Sequence, residues 1–547
     1  MLLQAKINPL RLLLLALISS ILLWISWPPV RFNFIVFIGF VPLLAVEDHI
    51  SRFYRRKFWT MMPIAYICFL CWNIFTTYWI WFASPAGSVF AIGANSLLMV
   101  IPFMLFVGVK RRIGRQWGYI SLACFWLCLE MLHLNWDAPW PWLNIGNVFA
   151  TLPNWVQWYE YTGALGGTVW VWVVNVLIYE GIRKWSVDSG QLTRNRKEEK
   201  GRSRLLIIAA AVIIVPVVIS YIIKPKDTLP SGKANIVAVQ PNIDPYNDKF
   251  DAATYAFQIN TLLSLSEKTM DSNTIALVWP ETAIAEDVNE EHLFNNQSVN
   301  KIHDFLKKHP RLKLITGISS NTVYPQNAPH TNTSRLFPDK TAWYDIYNTA
   351  LLLDKTDRFS VYHKSKLVPG VEKMPYPGAL KFLERFAIDE GGASGSLGSQ
   401  DSPTIFKLND TLKAAPVICY ESIFGAHIGK FINKGADIIT IITNDGWWKN
   451  SPGYMQHLYY GSLRAIETRR FIVRSANTGV SCFVLPSGAI IQPTSYWVQA
   501  AIKSPIYINH QVTFYTRFGD YIGWAGVWLG LVFFLILVVM RFVRLKK

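Results

Sequence analysis

Eight apolar runs, joined by connections that alternate in charge, constrain this chain more than any other feature. Most of the runs approach the ~20 residues that an α-helix needs to cross about 30 Å of hydrocarbon. They therefore predict an α-helical polytopic membrane bundle of about eight spans. The second run is short, and it counts as a span because the charge pattern described next fails without it. The runs occupy roughly residues 10–27, 33–47, 58–82, 87–109, 117–134, 162–183, 205–223 and 521–540.

Basic residues are concentrated in alternate connections. They cluster near residues 52–57, 110–115, 184–204 and 541–547, whereas residues 83–87 and 135–161 contain neither Lys nor Arg. Because cytoplasmic loops carry the excess of Lys and Arg, this asymmetry places the basic connections in the cytoplasm and the long segment before the last run on the other side. The formal net charge of +17 is thereby explained without a nucleic-acid partner. A charged fraction of 16% also argues against an ordinary soluble protein.

The pattern predicts three regions: a transmembrane region of about seven helices over residues 1–224, an exported domain over 225–520, and a final helix with a basic tail over 521–547. The exported part alternates β-rich runs with helical stretches, which is typical of an α/β domain with a largely buried sheet. Helical patterns lie near 252–268, 298–308, 378–386 and 454–469. Predicted strands are 235–240, 274–279, 312–317, 348–354, 359–363, 415–419 and 437–443.

Three of these predicted strands end in reactive side chains, namely Glu281, Lys364 and Cys419. Ligands of open α/β sheets bind beyond the carboxyl ends of the strands, so these residues can converge. Together they suit acyl transfer: Glu281 accepts the thiol proton, Cys419 attacks a carbonyl to form a thioester, and Lys364 stabilises the oxyanion and favours the thiolate. No metal or cofactor is required. Taken singly, each residue also fits an ordinary structural position.

The residues around these side chains resemble a known family. Trp-Pro-Glu281, Tyr-His-Lys364-Ser-Lys-Leu-Val-Pro and Val-Ile-Cys419-Tyr-Glu are similar to the Glu-Lys-Cys triad motifs of the nitrilase superfamily. With eight spans around that domain, the chain resembles the membrane-embedded apolipoprotein N-acyltransferase family. Further matches are Gln240-Pro-Asn-Ile, Thr443-Asn-Asp-Gly-Trp-Trp448, Gln456-His457 and Arg474-Ser-Ala-Asn-Thr-Gly479. The resemblance implies a nitrilase-like αββα sandwich.

The resemblance also implies a reaction. A phospholipid acyl chain would pass through a thioester on Cys419 to the α-amino group of the N-terminal S-diacylglyceryl-cysteine of an apolipoprotein, the final step of lipoprotein maturation. The implied location is the bacterial inner membrane, with the catalytic domain on the periplasmic side. The expected partners are membrane phospholipid and diacylglyceryl-apolipoprotein, without nucleic acid, and the expected state is a monomer.

Further site residues follow from the same resemblance. Glu372 would orient Lys364, and Tyr420 and Glu421 would lie beside the nucleophile. Phe250, Trp447 and Trp448 would bind substrate. The chain departs from the family at two places: Gly370-Val371-Glu372 stands where Phe-Gly-Glu is common, and Phe250 stands where the family has a Trp.

Two other function classes stay open from the residues alone. A membrane-anchored nitrilase-like amidase or thioesterase would use the same three residues, with water in place of the amine. A receptor or transporter would bind ligand without chemistry. Glu130, His133 and Glu160 lie near span ends, where they would either contact lipid headgroups or simply lie at the interface.

Overall fold

The computed structural model describes residues 7–188, 196–227, 234–376 and 396–545. Within these residues, eight helices are long and apolar enough to cross a membrane. The predicted bundle of about eight spans is therefore confirmed, and the protein is a multi-pass membrane protein. The spans are Pro9–Ser26, Asn33–Phe53, Lys57–Thr77, Pro85–Ile113, Arg115–Asn135, Tyr159–Lys184, Ser203–Ile223 and Tyr521–Phe542.

Among the described residues, nine α-helices precede the domain: the second span is divided into two helices, and one short helix lies between the third and fourth spans. The helices are α1 (Pro9–Ser26), α2 (Val36–Gly39), α3 (Val41–Phe53), α4 (Lys57–Thr77), α5 (Ile80–Ala83), α6 (Pro85–Ile113), α7 (Arg115–Asn135), α8 (Tyr159–Asp188) and α9 (Arg196–Ile223). The third run, predicted to continue to residue 82, ends as a helix at Thr77. The Ser84 hydroxyl then caps α6 by accepting a hydrogen bond from the Gly87 backbone N–H.

The second span is longer than its apolar run. It breaks between α2 and α3, where Asn175 of α8 satisfies the freed backbone groups: Asn175 Oδ1 accepts from the Phe40 N–H at 2.9 Å, and Asn175 Nδ2 donates to the Val36 carbonyl at 2.8 Å. The chain then continues as a helix to Phe53, which makes the span 21 residues long. A buried backbone break in a membrane is tolerated only with such partners.

Three short 3₁₀ turns lie between α7 and α8 at the end of the bundle that meets the domain; the first two are largely buried and the third is half-buried. They cover Pro141–Leu143, Ile145–Thr151 and Pro153–Trp155. α8 follows and is interrupted at Gly163, where φ is 63°. A Cβ at Gly163 would lie 2.3 Å from the Tyr515 ring, so this close approach requires glycine.

The domain contains two β-sheets. The first has eight strands in the order β14-β1-β2-β4-β6-β5, with β3 paired to β4 and β7 paired to β6; the second has six strands in the order β13-β12-β11-β10-β9-β8. The strands are β1 (Asn235–Gln240), β2 (Thr274–Val278), β3 (Ile284–Asn289), β4 (Lys313–Pro325), β5 (Arg335–Leu336), β6 (Ala342–Leu353), β7 (Phe359–His363), β8 (Phe406–Lys407), β9 (Lys413–Ile418), β10 (Ile438–Thr443), β11 (Phe471–Ala476), β12 (Cys482–Val484), β13 (Ile490–Ile491) and β14 (Ala500–Pro505).

The two sheets pack face to face with helices outside them, which confirms the nitrilase-like αββα sandwich. Alternation along β1 shows the layering: Ile236 and Ala238 belong to the core that contains the second sheet, whereas Val237 and Val239 pack with the outer helices. Those outer helices are α10 (Tyr255–Thr269) and α11 (Gln297–Lys308). On the second sheet pack α12 (Gly425–Asn433) and α13 (Pro452–Thr468), and the chain ends in α14 (Phe514–Phe518) and α15 (Tyr521–Leu545).

All seven predicted strands are present. Strand β4 continues beyond its predicted end at residue 317, and β6 begins before its predicted start at residue 348. The predicted helix near 378–386 lies outside the described residues. The two-residue strands β5, β8 and β13, helices α12 and α14, and four longer strands were not predicted. The four longer strands are β3, β11, β12 and β14. Three of these strands mix polar residues with short apolar stretches, so their local pattern is weak.

Candidate active site

A cavity of about 680 Å³ lies between the domain and the membrane bundle. Its domain wall includes Glu281, Lys364 and Cys419, the three residues that sequence reasoning expected to converge. Its membrane wall includes residues of α5, α6 and the end of α7. A reactive pocket that continues into apolar bundle surface suits a substrate with a long hydrocarbon part.

The two sheets position these side chains from opposite sides. Glu281 follows β2 and Lys364 follows β7, both in the first sheet, whereas Cys419 follows β9 in the second. The three residues thus meet at the end of the sandwich that faces the bundle. Only 7% of Glu281, 1% of Lys364 and 9% of Cys419 is exposed, so bulk water has little access to them.

Two carboxylates hold the lysine. Lys364 Nζ lies 2.7 Å from Glu372 Oε1 and 3.3 Å from Glu281 Oε1. Asn348 bridges the same two oxygens, because its Nδ2 donates to each of them at 2.8 Å. The backbone N–H groups of Asn444 and Val368 complete the cradle, donating to Glu281 Oε2 at 3.0 Å and to Glu372 Oε2 at 2.8 Å. All these groups are fixed before any substrate arrives.

This pairing keeps the lysine charged. Burial alone lowers the pKa of Lys364, but the charges of Glu372 and Glu281 outweigh it and hold the pKa well above its ordinary value. A permanently protonated ammonium cannot act as a base. It can stabilise negative charge that develops on a substrate oxygen.

The nucleophile occupies a strained turn. Cys419 has a φ of 49°, in the left-handed region that non-glycine residues rarely adopt and that costs on the order of 1–3 kcal/mol. Its carbonyl oxygen accepts a hydrogen bond from Ser422 Oγ at 2.7 Å and lies 3.1 Å from His457 Nε2. These contacts hold the sharp bend after β9, so the thiol faces the cavity rather than the sheet.

The thiol is neutral in the absence of substrate. Burial raises the pKa of Cys419, and the charge of Glu281 raises it further, while Lys364 opposes them without reversing the result. Lys364 thus favours the thiolate but does not outweigh burial and the charge of Glu281. The physical reason is that Lys364 is neutralised by two carboxylates. Proton removal must therefore accompany attack, and a base is needed.

A buried ionic cluster lies behind the nucleophile. Asp445 Oδ2 accepts from Arg474 Nη2 at 2.6 Å, and Asp445 Oδ1 lies 2.9 Å from His457 Nδ1. Although burial raises the pKa of Asp445, the charge of Arg474 and the interactions with His457 and Thr443 together outweigh it and keep the pKa well below the usual range. The charged cluster holds His457 against the Cys419 turn.

The two residues after the nucleophile support the surrounding structure. Tyr420 OH donates to the Pro139 carbonyl at 2.7 Å, which ties the nucleophile turn to the membrane half. Glu421 Oε1 accepts from Tyr362 OH and from the Ser365 N–H, both at 2.7 Å, and Oε2 accepts from the Ile418 N–H at 2.9 Å. With its oxygens occupied, Glu421 joins the Cys419 turn to the Lys364 turn.

The aromatic residues expected to bind substrate also line the cavity. The Phe250 ring stacks on Trp447 at a centroid distance of 6.5 Å. Trp448 contacts Trp79 at 4.8 Å and Trp142 at 5.7 Å, so it joins a cluster shared by domain and bundle. Together these rings form apolar wall between the reactive centre and the membrane half.

Sequence reasoning missed Asn348 and Lys249. Asn348 opens an apolar run and carried no motif, yet it bridges both carboxylates. Lys249 Nζ donates to the Glu281 carbonyl at 2.9 Å. An amide at the start of the predicted apolar strand 348–354 is the only local signal for Asn348, and that signal does not identify its partners.

Two family models match the chain. Residues 235–504 match the model described as carbon-nitrogen hydrolase, and residues 19–177 match the apolipoprotein N-acyltransferase N-terminal domain.

Curated relatives match nearly the whole length. The apolipoprotein N-acyltransferase of Chlorobaculum tepidum is 29% identical over 531 residues, which covers 94% of this chain and 95% of the relative. That of Thermotoga maritima is 23% identical over 539 residues, with 95% and 92% covered, and that of Geobacter metallireducens is 25% identical over 537 residues, with 95% and 94% covered. A bundle, a sandwich and a buried Glu, Lys and Cys at one cavity agree with these matches along the chain, which belongs to the apolipoprotein N-acyltransferase family.

Proposed function

We propose that this protein is a phospholipid:apolipoprotein N-acyltransferase. The observation that carries the proposal is the cavity shared by the domain and the bundle. Its domain wall has Glu281, Lys364 and Cys419, and its other wall is apolar bundle surface. A small water-soluble substrate would not need an apolar second wall. A lipid substrate would need it, because its hydrocarbon chains must be accommodated while its ester reaches the buried thiol.

In the first half-reaction, Glu281 accepts the thiol proton as the Cys419 sulfur attacks the carbonyl of a phospholipid ester. Lys364 stabilises the resulting oxyanion, and Glu372 and Asn348 hold Lys364 in place. When the tetrahedral intermediate collapses, the C–O bond breaks and Glu281 returns the proton to the leaving alkoxide. The products are a thioester on Cys419 and a lysophospholipid.

In the second half-reaction, the α-amino group of an S-diacylglyceryl-cysteine attacks the thioester carbonyl. Glu281 takes a proton from the attacking amine, Lys364 again stabilises the oxyanion, and the C–S bond breaks. The sulfur recovers its proton from Glu281. The acyl group is now an amide, and the enzyme has returned to its starting state.

The setting of the reaction is part of the proposal. We place the protein in a bacterial inner membrane as a monomer, with residues 225–520 as the periplasmic catalytic domain between the membrane regions 1–224 and 521–547. The alternation of connections rich in Lys and Arg with connections that have almost none supports this orientation. The relatives named apolipoprotein N-acyltransferase support the lipoprotein acceptor.

The test uses the purified full-length protein with a defined phospholipid and then a diacylated lipopeptide. Intact-mass analysis and peptide mapping should show a hydroxylamine-sensitive acyl adduct on Cys419 that is discharged onto the peptide amine. Cys419→Ala should insert into membranes normally and form no adduct, whereas Cys482→Ala, which removes the other cysteine of the domain, should behave like wild type. An adduct that persists in Cys419→Ala would contradict the proposal.

The amidase and thioesterase alternatives predict a different result. Wild-type protein would then release free acid or ammonia and leave the lipopeptide amine unmodified. Loss of the acyl adduct to water at the same rate with and without lipopeptide would favour that class.

A further inference from the structure

The cavity wall contains polar atoms that the reaction scheme above does not use. Neither ring nitrogen of His133 has a hydrogen-bond partner among the described residues, and the same is true of the Trp136 indole N–H. His133 is only 4% exposed, and both residues line the cavity. Burying a polar group without a hydrogen-bond partner is destabilising, so native structures contain few such groups.

The other polar residues near span ends differ from His133. Glu130 accepts from the Ile145 N–H at 2.7 Å and from Thr168 Oγ1 at 2.8 Å. Glu160 accepts from Arg469 Nε at 2.7 Å. Both carboxyl groups are therefore structural, whereas His133 lines the cavity without a hydrogen-bond partner in the described part of the chain.

His133 and Trp136 lie at a defined depth. His133 precedes the end of α7 by two residues, so it lies about 3 Å inside the helix end at the usual rise per residue. Trp136 is the first residue after the helix, and the two rings are 5.6 Å apart in an edge contact. The end of a membrane span followed by a tryptophan is typical of the level at which a bilayer changes from hydrocarbon to polar groups.

Below this level, the cavity follows one face of α6. Gly87, Ala91, Ala94 and Leu98 all line it, at the spacing of residues that share a helix face. The stretch from Gly87 to Leu98 spans about 16 Å. Gly87, Ala91 and Ala94 have small side chains, which leave room for a narrow apolar chain alongside this part of the helix.

Above this level, the loop that carries Glu372 contacts Asp137, the residue that follows Trp136. Asp137 accepts from Lys373 Nζ and from the Tyr376 N–H. The Tyr376 ring lies 6.4 Å from Trp136. A group bound at His133 and Trp136 is thus positioned between the apolar slot and the loop that holds the lysine.

We propose that His133 and Trp136 form a donor pair that hydrogen-bonds a glycerol-ester oxygen of the lipid substrate while one of its acyl chains lies along α6. This inference rests on the proposed function and names how that site recognises its lipid. Both lipids of the proposed reaction contain glycerol esters: the phospholipid donor and the diacylglyceryl group of the acceptor. A substrate is thereby held at the depth at which its reacting ester reaches Cys419.

The test variant is His133→Phe, which keeps a ring against Trp136 and removes both nitrogens. Loss of one neutral hydrogen bond of about 1 kcal/mol should raise the half-saturating lipid concentration about 5-fold and leave the maximal rate nearly unchanged. The melting temperature should stay the same or rise, because unpartnered buried nitrogens have been removed. His133→Gln, which keeps an N–H donor, should recover part of the affinity. His292→Phe, at an exposed position of the domain, is the matched control.

Separate measurement of the two half-reactions identifies the lipid. If the phospholipid is held, half-saturation of acyl-enzyme formation rises; if the lipopeptide is held, half-saturation of its discharge from preformed acyl-enzyme rises. Unchanged half-saturation in both steps would overturn the inference. Absence of any acyl-enzyme in wild type would instead overturn the proposed function.

A lipid analogue tests the ester itself. Donors in which the ester that is not transferred is replaced by an ether lack that carbonyl oxygen. If that oxygen is the partner, the analogue binds wild type more weakly, and His133→Phe has no additional effect on it. The ester would be excluded as the partner if His133→Phe weakened the binding of ether analogues as much as it weakens the binding of the ester lipid, whichever glycerol position has the ether.

Discussion

At the scale of single residues, the nucleophile differs from the thiolate-cation pairs of many cysteine enzymes. The pKa of Cys419 is raised by burial and by the charge of Glu281. Lys364 cannot lower it below the ordinary value, because Glu372 and Glu281 share its charge. The enzyme therefore depends on Glu281 as a base positioned next to a protonated thiol.

This electrostatic arrangement predicts a pH dependence. Iodoacetamide reacts with the thiolate, so alkylation of Cys419 without lipid should require a higher pH than alkylation of a free thiol. Removing the negative charge in Glu281→Gln makes ionisation easier and should shift the alkylation curve to lower pH, although acyl transfer is lost. Peptide mapping in a Cys482→Ala background measures the modified fraction. A wild-type curve centred below pH 7 would contradict the neutral thiol.

A second residue-scale prediction concerns the amide that bridges the carboxylates. Asn348→Leu has a similar shape but removes the donor to Glu281 and Glu372. Hydrogen bonds to charged groups contribute about 1.5–3 kcal/mol, so acyl-enzyme formation should slow by roughly 10- to 100-fold. Stopped-time mass spectrometry of the first step measures it. Asn321→Leu on β4, away from the cavity wall, is the control, and an equal loss in both variants would indicate a general folding defect.

At the scale of elements, β4 passes directly beneath the turn that carries Glu281. A Cβ at Gly317 would lie 2.4 Å from the Thr282 nitrogen and 2.6 Å from the Glu281 Cα. Both are backbone atoms, which cannot rotate away as a flexible side chain can. Strand β4 therefore positions the base only because it has glycine at that point.

Gly317→Ala should consequently displace Glu281. A misplacement of about 1 Å can cost on the order of 100-fold in rate, so acyl-enzyme formation should fall by about that factor while the protein still inserts and folds. The single-turnover rate with phospholipid checks this. Gly461→Ala is the matched control, since its added Cβ would meet only the Ile441 side chain at 4.0 Å. A wild-type rate in Gly317→Ala would show that the turn can move without consequence.

At the scale of the whole molecule, one glutamine of the domain joins three parts of the bundle. Gln456 Oε1 accepts from the Trp142 and Trp79 indoles at 2.7 and 3.1 Å. Its Nε2 donates to the Pro28 and Thr76 carbonyls at 2.9 and 3.1 Å. The cavity lies between domain and bundle, so its shape depends on this docking.

Gln456→Leu should weaken that docking. It leaves two indole N–H groups and two carbonyls without the partner they now have, and each such loss costs about 1–3 kcal/mol. We expect the melting temperature in detergent to fall by several degrees and lipid to bind more weakly at the cavity. Gln326→Leu, on the exposed surface of the domain, should leave both unchanged. Equal melting of Gln456→Leu and wild type would mean that other contacts carry the interface.

Much of the secondary structure could be predicted from short stretches of the sequence. Helical spans follow from about 20 apolar residues, and strands such as 235–240 and 359–363 follow from short β-rich runs. The break after Gly39 could not be predicted, because the residue that stabilises it, Asn175, lies in another span. Likewise, the residues between α7 and α8 were interpreted as a connection, whereas they form 3₁₀ turns that are largely buried.

The sequence by itself determined the membrane class, the α/β class of the domain and the candidates Glu281, Lys364 and Cys419, since apolar length, charge alternation and strand-end motifs are local properties. Only the tertiary structure decided that these side chains line a cavity whose other wall is the membrane half, that the resting thiol is neutral, and that Asn348 and His133 line the same cavity. The burial of a side chain, the balance of charges around it and the hydrogen-bond partners of its atoms depend on residues far apart in the chain. A local sequence pattern therefore cannot predict them.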